Sequence, residues 1–108
     1  MRVLIVADCV SPEQAQEAAP GCVTACVDSF TAAFEAITRR SVDVVVTPEA
    51  IGERNSGSGL DVARLAMGYS VACVIVSEDW TDGVYLAAMM TAGGDLRDAI
   101  TRAVRLRS

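Results

Sequence analysis

The chain contains no lysine and no histidine. Without histidine it lacks both the commonest general base near neutral pH and the commonest zinc ligand. All nine of its basic residues are arginines, set against fourteen Asp plus Glu, for a net charge of −5. A chain of that balance repels a phosphate backbone, and no basic stripe offsets the repulsion. Arg102, Arg105 and Arg107 do cluster, but at the end of a helical pattern, where the helix dipole favours cations. Nucleic acid is therefore excluded as the expected partner. None of the four cysteines forms a Cys-x-x-Cys pair, so a disulfide framework is not indicated. Cys22, Cys26 and Cys73 fall in apolar strand-like runs, where free cysteine behaves as a small buried hydrophobe. No apolar run approaches the ~20 residues of a membrane span, and no leader precedes Arg2. The expectation is a cytoplasmic protein with reduced thiols, no membrane association, no cofactor and no metal.

What is present is a length of 108 residues, just over half of them apolar. This suits one domain over residues 1–108. Residues 3–7 form a continuous apolar run ended by Asp8, residues 71–76 form another, and residues 42–47 are apolar at their centre. Continuous rather than alternating hydrophobicity implies strands buried on both faces, as in a parallel sheet covered by helices. Residues 22–27 read as a further strand. Ser11-Pro12-Glu13-Gln14 opens a helix with a capping box and proline at the first helical position, and Pro20-Gly21 stops it. Ser29 caps a second helix through about Arg40, with Phe30, Ala33, Phe34 and Ile37 as its apolar stripe. Residues 60–67 make a short third helix after a Gly/Ser-rich loop at 52–59. Residues 95–105 form a final amphipathic helix. Strand and helix alternate, the pattern of a doubly wound sheet.

Residues 79–94 admit two readings. As a helix, Thr81 caps a run in which Leu86-Ala87-Ala88-Met89-Met90 are strong helix formers. As a strand, residues 84–88 follow an Asp82-Gly83 turn and pair as an antiparallel hairpin, the gap after Ser77 being short for a parallel crossover. Ala and Met are poor strand residues, which favours the helix.

In an open parallel sheet, function gathers at the carboxyl ends of the strands. Those ends are Asp8-Cys9, Thr47-Pro48-Glu49 and Ser77-Glu78-Asp79. Around them the chain resembles the receiver domain of two-component response regulators. Arg2 to Asp8 is similar to the family's opening strand, and Asp43-Val44-Val45-Val46-Thr47 to the strand leading to the phosphoacceptor. Gly59-Leu60 resembles the opening of the third helix. Val74-Ile75-Val76-Ser77 resembles the strand that ends in the switch hydroxyl. Met90-Thr91-Ala92-Gly93-Gly94-Asp95 resembles the end of the fourth helix. The resemblance implies a three-layer α/β/α, flavodoxin-like sheet of strand order 2-1-3-4, with the fifth strand missing or degenerate.

The departures from that family matter as much. Asp8 keeps one of its two metal-binding acids, Ala7 replaces the other, and Pro48 stands at the phosphoacceptor position. The lysine that steadies the acyl phosphate cannot exist here. The resemblance therefore implies a pseudo-receiver, with Asp8, Ser77 and Glu49 as the remnant site. A chain without nucleophile, lysine and half its metal site cannot run phosphoryl transfer. The expected function is a phosphorylation-independent interaction module in bacterial signalling, with other signalling proteins or a second copy as partner. Val74, Val76, Met89 and Met90 are its expected contact residues, because a fourth strand without a neighbour leaves a bare apolar edge. The alternative is a weakly active phosphate- or metal-binding enzyme centred on Cys9, Asp8 and Glu49, with Asp79 as a further hard-cation ligand. Against it, the loop after Cys9 carries Pro12 and Glu13, which remove an amide and repel phosphate.

Overall fold

The computed structural model describes residues 1–49, 59–77, 87–91 and 93–107. The apolar runs become strands β1 (Arg2–Val6), β2 (Val23–Val27), β3 (Val44–Pro48) and β4 (Ala72–Val76). A further strand, β5 (Ala88–Met90), follows them. All pair in parallel in one five-stranded sheet of order β2-β1-β3-β4-β5, the flavodoxin-like order. Helices α1 (Pro12–Ala18), α2 (Phe30–Thr38), α3 (Gly59–Gly68) and α4 (Leu96–Arg107) complete the alternation.

Every side chain of β1 beyond Arg2, and all of β3 before Pro48, is buried. Successive residues serve opposite faces. Val3, Ile5, Val44, Val46 and Val74 pack with Ala15 of α1 and with Leu96, Ala99, Ile100 and Ala103 of α4. Leu4, Val6, Val45, Cys73 and Ile75 pack with Ala33 and Ile37 of α2 and with Val62, Ala63 and Ala66 of α3. Helices on both sides explain why these strands are apolar at every position. Each fully buried Val, Leu or Ile contributes about 1.5–3 kcal/mol of hydrophobic stabilisation before entropy is counted.

Local signals hold where the sequence set them. Ser11 Oγ accepts from the Gln14 amide at 3.1 Å, and Gln14 Oε1 accepts from the Ser11 amide at 2.8 Å. Ser29 Oγ accepts from the Ala32 amide at 3.1 Å and starts α2. The amide of Arg2 donates to Asp43 Oδ2 at 2.7 Å, tying the start of β1 to the approach to β3. That bond, with the Arg2 guanidinium beside it, holds the Asp43 carboxyl below its ordinary range.

The fifth strand corrects the expected fold. It is present, paired Val74↔Ala88, Ile75↔Met89 and Val76↔Met90, and parallel to β4. A helix over 81–91 fails because residues 88–90 are extended, and an antiparallel hairpin from 84–88 fails on direction and register. The helix reading gave Ala and Met their local preference, whereas complete burial between two layers decides here: Ala88, Met89 and Met90 are 2%, 6% and 4% exposed. The Thr81 cap, the Asp82-Gly83 turn and most of the Gly/Ser loop lie outside the described residues. The expected bare edge on β4 is likewise absent. Val74 is an interior residue with a strand on either side, and Met89 and Met90 offer no surface.

Candidate functional site

The described carboxyl ends of the central strands meet at one end of the sheet. β3 ends in Thr47 and Pro48, and β4 leads directly into Ser77. Pro48 pairs with Val76 on the β4 side, while pairing with β1 stops at Ile5↔Val46. A proline is tolerated there because the strand has outrun its neighbour on one side. Thr47 is fully buried, and its Oγ1 donates to the Pro48 carbonyl at 3.1 Å.

The chain leaves β3 through Glu49, whose carbonyl accepts from the Gly59 amide at 2.8 Å. This bond brings the first residue of α3 against the end of β3. A Cβ added at Gly59 would stand 2.5 Å from the Pro48 carbonyl oxygen, so the close approach depends on glycine.

A short polar contact at this edge joins residues far apart in sequence. Ser77 Oγ donates to Glu49 Oε2 at 2.6 Å. Ser77 is 5% exposed, and its amide donates to the Met90 carbonyl at 2.9 Å. The ends of β3, β4 and β5 are thereby linked through one residue. A short hydroxyl-to-carboxylate bond is of the charge-assisted kind and is stronger than a neutral one.

Asp8, the other residue of the expected remnant site, is not part of this link. It is exposed, lies in a turn after β1 and hydrogen-bonds to neither Glu49 nor Ser77. Ala7 and Asp8 both adopt left-handed backbone, with φ of 54° and 51°. For an alanine this costs about 1–2 kcal/mol, so the turn after β1 is held against its local preference. Among the described residues no group of three or more His, Cys, Asp or Glu comes together in a way that could hold a metal ion. Asp79 lies outside those residues.

Cys9 follows the same turn. Its thiol donates to the Val46 carbonyl at 3.4 Å, and burial pushes its pKa up to about 11. A nucleophilic cysteine needs the opposite shift, since the thiolate is the reactive form. Cys73, within β4, is pushed up to about 12, again by burial. All four cysteines are free thiols; Cys22 and Cys73 are buried and Cys26 is exposed.

Sequence reasoning put Glu49 and Ser77 at the carboxyl ends of their strands, where the structure has them, without pairing them. The pairing needs the in-register ends of β3 and β4, which no local motif encodes. The glycine contact with Pro48 was missed too, although Gly59 at the start of an apolar helical pattern was a usable signal.

No protein-family model matches the chain, and no curated protein matches it in sequence. The fold itself is a three-layer α/β/α parallel sheet of the flavodoxin and receiver type. Among the described residues, no helix is long and apolar enough to cross a membrane.

Proposed function

We propose that this chain is a receiver-like domain that works by binding other proteins, without phosphorylation and without catalysis. The observation that carries the reading is the bond from Ser77 Oγ to Glu49 Oε2. In the receiver family that the sequence resembles, the hydroxyl at the position of Ser77 turns to meet a phosphoryl group on the strand beside it. Here a carboxylate from the residue after Pro48 already occupies the hydroxyl, and Pro48 offers no atom to phosphorylate. The carboxylate stands in for the charge of a phosphoryl group, so the edge rests in one fixed state. Partners would be other signalling proteins or a second copy of the chain.

The enzyme reading centred on Cys9, Asp8 and Glu49 has no observation in its favour. The Cys9 thiol is neutral at physiological pH and engaged with a backbone carbonyl. Asp8 and Glu49 are not hydrogen-bonded to each other. Four free thiols accord with a reducing, cytoplasmic setting. The test is intact mass after incubation with acetyl phosphate and Mg²⁺. No added phosphoryl group is expected; a stoichiometric acid-stable or acid-labile adduct would refute the reading.

A further inference from the structure

The two edges of the sheet are finished differently. β5 is three residues long and fully buried, and Arg102 Nη2 donates to the Met89 carbonyl at 3.0 Å. A short strand capped by a charged side chain is a protected edge. β2 is the other edge, with five residues, Val23-Thr24-Ala25-Cys26-Val27, and Val23 is 67% exposed. It has no charge, no proline and no glycine, so nothing in the strand discourages another from pairing with it.

From this we propose that the chain forms a symmetric dimer by antiparallel pairing of β2 with β2 of a second copy. The existing hydrogen bonds fix the register. The Val23 amide donates to the Met1 carbonyl, and the Val27 carbonyl accepts from the Ala7 amide, so Val23, Ala25 and Val27 turn their backbone groups inward to β1. By alternation, Thr24 and Cys26 turn theirs to the open edge. With the two-fold axis at Ala25, Thr24 faces the partner's Cys26 and Cys26 faces the partner's Thr24. Every outward N–H and C=O of those residues then finds a partner. Ala25 faces its own copy as a non-hydrogen-bonded pair, with Cα atoms about 4.5 Å apart, where a small side chain fits.

Charge selects the occupant and its direction. The chain carries −5, yet the pairing strip itself is neutral. Acidic residues gather at the carboxyl end of the sheet, as Asp8, Asp28, Glu49, Asp61 and Asp95, next to strand ends and helix starts. Arg39 and Arg40 follow α2 and Arg105 lies in the last turn of α4, all at the opposite end, where Arg2 is paired with Asp43. Antiparallel pairing sets the Asp28 end of each molecule beside the Arg39 and Arg40 end of the other. A parallel arrangement would set acid against acid. Five residues of edge bury less than the ~1,200 Å² of a tight dimer, so the association is weak and depends on concentration.

The proposal stands independently of the Ser77–Glu49 reading and is tested separately. Light scattering in the presence of reductant, to keep Cys26 from forming disulfides, should show a mass rising from 11.3 kDa towards twice that value at high micromolar concentration. Ala25→Lys and Ala25→Glu, each at an exposed position, should each weaken the dimer more than about tenfold, because like charges then face each other. An equimolar mixture of the two should dimerise again. A readout that needs no substitution is amide exchange in the wild type: Thr24 and Cys26 should gain protection with concentration, while Val23 and Ala25 stay protected throughout. A wild type that stays at 11.3 kDa, or a dimer indifferent to both substitutions, overturns the proposal. So does a mixture that fails to recover, because the antiparallel register requires it.

Discussion

At Gly59 a single missing carbon sets how closely α3 approaches the end of β3. Helix propensity alone makes Gly→Ala favourable by about 1 kcal/mol inside a helix. The Pro48 carbonyl, 2.5 Å from the would-be Cβ, reverses the sign, because both parties are backbone and neither swings aside. Gly59→Ala should therefore destabilise the fold by about 1–3 kcal/mol, read as a lower urea midpoint with unchanged slope. Ser77→Ala removes the hydroxyl that bridges to Glu49. Because the carboxylate it leaves is exposed and can be rehydrated, the loss should be close to about 1 kcal/mol, and Ser77→Thr should recover most of it. The thiols give a pH test. Burial raises Cys9 to about 11 and Cys73 to about 12 from an ordinary 9.0, so folding favours their neutral forms. A raised folded-state pKa gives stability that is complete below the unfolded value and is lost as pH rises through the folded one. Unfolding free energy should thus hold up to about pH 9 and fall towards pH 11–12, and Cys73→Ala should flatten part of that fall. Under native conditions near neutral pH, an alkylating reagent should modify Cys26 first, followed by mass spectrometry of the labelled peptides.

Among the elements, β1, β3 and β4 were legible because both their faces are buried, which leaves an uninterrupted apolar run. Both capped helices, α1 and α2, were legible because a serine hydroxyl at the N-cap is a local device. β5 was not, for a physical reason. Its residues are helix formers by preference, and a three-residue strand lies below the length at which periodicity can be read. Its identity follows from β4, whose apolar faces and edge need a neighbour, and that requirement is visible only once the sheet is assembled. The same logic makes Val74, Met89 and Met90 core, with Val76 partly buried beside them. Val74→Lys, which would probe a surface on a four-stranded sheet, places a charge in the buried layer that the sheet shares with α4. It should leave the chain unfolded by circular dichroism rather than folded and monomeric. Arg102 reaches the β5 edge through the Met89 carbonyl and pairs with Asp98 of its own helix at 2.9 Å. Arg102→Ala should lower stability by about 1 kcal/mol, nearly all of it from the carbonyl bond, since the exposed ion pair contributes little.

For the molecule as a whole, the three layers and the order of the first four strands were readable from the chain, and so was the placing of Glu49 and Ser77 at the carboxyl ends of their strands. Pro48 and the absent lysine already argued against phosphoryl transfer. The means by which Glu49 and Ser77 meet was not readable, because it depends on the register of β3 against β4 and on glycine admitting α3 beside them. On the function proposed above, those features make the edge single-state, closed by its own carboxylate and indifferent to the ligands that drive receivers. The direct test is the amide spectrum of the labelled protein, recorded before and after millimolar Mg²⁺ and acetyl phosphate. The account predicts that the Thr47, Glu49 and Ser77 amides stay where they are, as do those of β5. Progressive shifts at those positions, or a second set of peaks growing in with the phosphodonor, would contradict it.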